Sequence, residues 1–117
     1  MDIQVLKIAP GQAPEIVNTP NTLDAFQEAV GGYIEAVELD ANAVLVCNEE
    51  GKLTGPPANR QVGGDIIAGT FLIVGAEDGE FCSLSDADAA HYAKQFAQPM
   101  PSHSKPEEPT QWEFYVL

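Results

Sequence analysis

Residues 33–47 read YIEAVELDANAVLVC, and the way this stretch divides decides the fold. Tyr33, Glu35, Val37 and Leu39 fall on one side of an extended chain and Ile34, Ala36 and Glu38 on the other. The alternation is imperfect but predicts a strand over Tyr33–Leu39. Asp40, Ala41 and Asn42 are turn formers. Ala43–Cys47 is then apolar at every position, which marks a central strand with both faces covered. A connection of only three residues favours an antiparallel hairpin.

Working outward toward the C-terminus, Asn48–Lys52 reads as a turn in which Gly51 supplies a positive φ. Leu53–Gly64 has no apolar periodicity and holds Gly55, Pro56, Pro57, Gly63 and Gly64, so a long surface loop is expected there. Asp65–Gly75 (DIIAGTFLIVG) is the strongest strand signal in the chain, with Gly69 marking a bulge or a close approach. A turn centred on Asp78-Gly79 follows. Toward the N-terminus, Ile3–Ile8 predicts a first strand closed by Pro10-Gly11, and Glu15–Val17 a short one.

Two helices complete the pattern. Asn21 or Thr22 caps the first, Asp24 suits its positive end, and Leu23, Phe26, Ala29 and Val30 share its apolar face. Gly31-Gly32 ends it. Ser85 caps the second, with Asp86 and Asp88 in its first turn and Ala89, Tyr92, Ala93 and Phe96 as the buried stripe; Pro99 stops it. The expected fold is α+β, a mainly antiparallel sheet of about five strands with two helices packed on it, formed by residues 1–97. Residues 98–110 read as a proline-rich extended linker. The last stretch, 111–117 (QWEFYVL), reads as an aromatic strand that packs in its own domain or on a neighbour.

Composition narrows the function classes. Eighteen acidic residues against five basic ones give a formal charge of -13, which repels a phosphate backbone and an anionic lipid surface, so neither direct nucleic-acid binding nor a membrane partner is expected. The same charge keeps a small protein soluble, or docks it on a basic partner, or imitates DNA. Cys47 and Cys82 lie outside any Cys-x-x-Cys pair, and no leader or long apolar run is evident, so a cytoplasmic protein with reduced thiols is expected.

Four segments carry a family resemblance: Val30–Glu35 (VGGYIE), Asn48–Lys52 (NEEGK), Asn59-Arg60, and Gly64–Gly75 (GDIIAGTFLIVG). In this order they resemble domain of unknown function 3846, over about Ile3 to Phe96. The pattern positions are Gly31, Gly32, Tyr33, Asn48, Glu50, Gly51, Asn59 and Arg60. The resemblance implies an origin in bacteria of the gut-Firmicutes type and in their phages, plasmids or conjugative elements. It implies no activity and no catalytic residues.

The candidate ligand site is Asn48, Glu50, Asn59 and Arg60, with Glu49 beside them. Asparagine amides and the fork of the only arginine can fix a carboxylate, a phosphate or a base edge. The structural alternative is that Arg60 pairs with an acid such as Asp65 or Glu50 and pins the loop. Cys82, Asp86, Asp88 and His91 form a weaker metal candidate, since the aspartates also serve the helix N-terminus; no metal or cofactor is expected. Gly31-Gly32 follows a helix instead of opening one, against a phosphate loop. Trp112, Phe114 and Tyr115 are candidate interface anchors and a route to an oligomer through the C-terminal strand. With no catalytic set, the expected role is a non-enzymatic interaction module of a phage or mobile element, with a protein partner. The alternatives are a binder of a small or nucleotide-derived ligand, and an acidic DNA mimic acting against a host defence protein.

Overall fold

The computed structural model describes residues 1–51 and 55–100. Its elements run β1 (Asp2–Ile8), β2 (Glu15–Pro20), α1 (Leu23–Val30), β3 (Ile34–Asp40), β4 (Ala43–Asn48), β5 (Ala58–Val62), β6 (Asp65–Ala68), β7 (Phe71–Glu77), β8 (Glu80–Cys82) and α2 (Asp86–Gln95). The main sheet has the order β2-β1-β7-β4-β3, and β8 joins β7. Every pairing in it is antiparallel. The α+β expectation holds: the described residues form two helices, a six-stranded main sheet and a two-stranded sheet.

The stretch 33–47 forms the hairpin β3–β4, with Ala36 opposite Val46 and Val37 opposite Leu45. Ala43–Cys47 are all buried, because β4 is an inner strand and helices lie on both faces. Ala43, Leu45, Cys47, Phe71 and Ile73 meet Leu84 and the Ala89, Tyr92 and Phe96 stripe of α2. Val44, Val46, Leu72 and Val74 meet Phe26 and Val30 of α1.

Both helices begin as their sequences predict and α1 also ends so, whereas α2 stops at Gln95, short of Pro99. The Thr22 hydroxyl accepts from the Ala25 amide at 3.2 Å and the Ser85 hydroxyl from the Asp88 amide at 3.1 Å. Gly31 takes φ +85° and its amide donates to the Gln27 carbonyl, a left-handed cap that a side chain would strain. Asp78 and Gly79 both take positive φ, the two-residue turn that suits the twist of a tight hairpin.

Two expectations are corrected. The segment read as a surface loop over Leu53–Gly64 contains β5, paired with β6 in a separate two-stranded sheet. Asp65–Gly75 is two strands in two sheets, divided at Gly69, which takes φ +80° and donates to the Pro57 carbonyl at 2.9 Å. The apolar run continues across that break because Ile67 of β6 packs on the same cluster that β7 helps to build. The tail falls largely outside the described residues: the linker from residue 101 onward, and the whole aromatic strand with Trp112, Phe114 and Tyr115.

Candidate functional site

Asn59 and Arg60 are the only buried polar or charged residues among those described, at 0% and 2% exposure. The Asn59 amide donates to the carbonyls of Ile8 at 2.8 Å and Gly69 at 2.7 Å, and its Oδ1 accepts from Arg60 Nη1 at 2.8 Å. Arg60 Nε donates to the Phe96 carbonyl at 2.9 Å, Nη2 to Gln12 at 2.5 Å and Nη1 also to the Asn59 carbonyl at 3.2 Å. Two adjacent side chains therefore fasten the β5–β6 hairpin to β1, to the β1–β2 loop, to the Gly69 break and to the end of α2.

The alternative of an internal ion pair for Arg60 is corrected in its chemistry. Among the described residues the hydrogen-bond partners of Arg60 are oxygens of neutral groups, and no carboxylate is one of them. The compensating charge is partial: Phe96 caps α2, where unsatisfied carbonyls give the helix a negative end. Burial lowers the Arg60 pKa, yet a guanidinium stays charged in proteins. An unbonded cation at this depth would be costly, and its carbonyl shell is what makes the position tenable.

Asn48 serves a second junction. Its amide nitrogen donates to the Val30 carbonyl at 3.2 Å, and its oxygen accepts from the Glu50 amide at 2.8 Å. The Glu49 amide closes the strand pair on the Tyr33 carbonyl at 2.8 Å. A Cβ on Gly32 would lie 2.8 Å from Asn48 Nδ2, and one on Gly51 2.9 Å from the Ala68 carbonyl oxygen. Gly51 is therefore required for close approach, not for the positive φ expected of it. The pattern residues Gly31, Gly32, Asn48, Gly51, Asn59 and Arg60 all have architectural work of this kind.

The four candidate ligand residues accordingly separate. Asn48 and Glu50 line two surface hollows, ≈ 150 and ≈ 270 Å³, whose walls do not include Asn59 or Arg60. Tyr33 stands at the rim of the second hollow, 70% exposed. The residues weighed as metal ligands take part in local structure: Asp86 accepts from Gln4 Nε2 at 3.0 Å, and the His91 ring meets Tyr92 edge-on. Among the described residues no group of three or more His, Cys, Asp and Glu is disposed to hold a metal ion. Cys47 is buried and Cys82 half-buried, both as free thiols. Burial, with Glu35 and Asp65 nearby, pushes the Cys47 thiol up. No helix among the described residues is long and apolar enough to cross a membrane.

One surface feature was not read from the sequence. A hollow of ≈ 400 Å³ lies between the first turn of α1 and the β7–β8 hairpin, walled by Leu23, Phe26, Ile34 and Phe81. Leu23, expected on the buried face of α1, is 56% exposed there. The available signal was the Asp78-Gly79 turn, which brings Phe81 back opposite Ala76 and edge-on to Phe26, with ring centroids 5.5 Å apart.

Fold and site together define a small acidic α+β domain whose buried polar residues hold it together. The chain belongs to the family described as Domain of unknown function (DUF3846), whose model matches residues 3–97. Neither the comparison with curated proteins nor that with solved structures returned a match.

Proposed function

We propose that this chain is a non-enzymatic protein-interaction module, carried by a phage or mobile element as the family resemblance implies, and acting in the cytoplasm. The observation that supports this most is the inward commitment of Asn59 and Arg60. The side chains best suited to grip a small anion are engaged with backbone carbonyls. What the described surface offers instead is carboxylates and exposed apolar residues, among them Leu23, Tyr33, Val37 and Ile16. Such groups suit protein contacts, where apolar anchors give affinity and charge gives orientation and on-rate. The free thiols of Cys47 and Cys82 accord with a reducing compartment.

The DNA-mimic alternative asks for carboxylates in a phosphate-like row on one face. Glu35 lies opposite Cys47 on the α2 side of the sheet, whereas Glu38 lies opposite Val44 on the α1 side. Asp24 belongs to α1, and Asp86 and Asp88 to α2. This spread over both faces favours docking over mimicry.

The test is affinity capture from a host-cell lysate with the full chain as bait, beside an unrelated domain of equal net charge. The reading expects the same protein enriched over the control at low and at moderate salt. Recovery of nothing beyond the control at either salt contradicts it.

A further inference from the structure

This inference rests on the interaction-module reading and assigns it a contact surface. We propose that the hollow between α1 and the β7–β8 hairpin docks a protein segment bearing a large apolar side chain flanked by lysines or arginines.

Leu23, Phe26 and Val30 stand at i, i+3 and i+7, one face of α1. Phe26 is 2% exposed, yet Leu23, at the start of the same face, is more than half exposed. The core-facing stripe thus runs past the edge of its own core, and Phe81 supplies the facing wall. The walls are fixed before anything binds. Asn21 Nδ2 donates to the Phe81 carbonyl at 3.0 Å, tying the entry of α1 to β8, and the two-residue turn at Asp78-Gly79 closes the hairpin with Glu77 paired to Glu80. A preformed apolar hollow of ≈ 400 Å³ is large enough for an anchoring side chain and loses little ordering entropy on binding.

Charge selects the occupant. Glu80 lies on the rim, Glu77 faces it directly across the β7–β8 ladder, Asp78 is in the turn between them, and Asp24 follows Leu23 in the first turn of α1. Like charges paired across strands repel, and no Lys, Arg or His is among the described residues that line the hollow. A partner's cations would relieve that repulsion. A second copy of this chain would bring the same acidic rim and another formal -13. The chain's own end, QWEFYVL, offers aromatic anchors but carries Glu113, with Glu107 and Glu108 just before it. A basic segment is the occupant that complements both walls and rim.

The experiment titrates the ¹⁵N-labelled full chain with a synthetic peptide holding a Phe-Leu pair between two lysine triplets. A second peptide replaces Phe-Leu with Ser-Ser. The proposal expects amide shifts clustered at Leu23–Phe26 and Gly79–Phe81. It also expects affinity at least tenfold weaker for Leu23→Asp or for the Ser-Ser peptide, and within about twofold for Glu15→Gln on distant β2. Absent binding, shifts elsewhere, or indifference to Leu23→Asp overturns it. Trp112 is the only tryptophan, so a red-shifted emission in free Leu23→Asp would assign the groove to the chain's own tail and overturn the proposal. Self-association in sedimentation that Leu23→Asp abolishes would assign it to a second copy, with the same consequence. If lysate capture by the full chain survives Leu23→Asp, the module reading stands and the groove assignment falls. If the unmodified chain captures nothing, the module reading falls while the peptide titration still decides the groove.

Discussion

Arg60 illustrates how one residue can look functional in a sequence and be architectural in a fold. It is the only arginine in a chain with few cations, and its neighbour is an amide, which is how a ligand clamp also reads. Its bonds to Gln12, Asn59 and Phe96 join segments up to 48 residues apart in sequence. Removing it leaves buried carbonyls unpaired, so Arg60→Ala is expected to cost roughly 3 kcal/mol or more, read as a lower urea midpoint. Arg60→Lys should recover little of that, because an ammonium cannot reproduce the planar fork. Loss of under about 1 kcal/mol on Arg60→Ala would contradict this role.

Asp40 and Tyr92 give a pH-dependent counterpart. The Tyr92 hydroxyl donates to Asp40 Oδ2 at 2.5 Å, and the Asn42 amide donates to Oδ1 at 2.7 Å. The Tyr92 bond, then the backbone amides, hold the Asp40 carboxyl below its ordinary value. Its contribution to stability is therefore present above the unfolded carboxyl pKa of about 3.9 and lost as pH falls through the lower folded value. Burial first, then Asp40, pushes Tyr92 up to about 12. That contribution is whole below the unfolded tyrosine pKa of about 10 and disappears as pH rises toward the folded value. Tyr92→Phe should cost about 1 kcal/mol at neutral pH and remove the part of the alkaline decline that Tyr92 causes. An unchanged slope of stability against pH between about 10 and 12 would show that the pair is not coupled to folding.

At the scale of elements, legibility followed the physical signal. β4 and β7 were readable because inner strands bury both faces, and apolar runs such as AVLVC and FLIV register that directly. The helices were readable from their caps. β5 was not: ANRQV buries an amide and a guanidinium, which pattern reading assigns to a surface. The Gly69 break was invisible for the complementary reason, since apolar side chains continue on both sides of it. The most crowded glycine among those described is Gly75, whose φ is not positive. Ser83 and Leu84 bond to Gln4 of β1 as the chain leaves β8, and this brings the Ser83 carbonyl oxygen to 2.3 Å from where a Gly75 Cβ would stand. Backbone cannot yield there cheaply, so Gly75→Ala is expected to cost about 2–3 kcal/mol. For a domain of this size that lowers Tm by roughly 10 °C or more, and a Tm within about 3 °C of the parent would refute the close packing of β8 on β7.

Across the whole molecule, the candidate site was only half legible. The sequence singled out Asn48, Glu50, Asn59 and Arg60 together, but only Asn59 and Arg60 are buried; burial separates a fastening from a binding site, and burial of polar groups leaves no periodic trace. The α1–β8 groove was hidden because it depends on where a helix face overruns its core. Buried Asn59 and Arg60 maintain the domain, and under the proposed function the acidic and apolar surface is the part that meets a partner. The most direct test compares capture of one lysate partner by Arg60→Met and Leu23→Asp, at a temperature where circular dichroism reports both folded. The account predicts that Arg60→Met, although less stable, retains the partner and that Leu23→Asp, with parental stability, loses it. Retention by Leu23→Asp together with loss by folded Arg60→Met would contradict it.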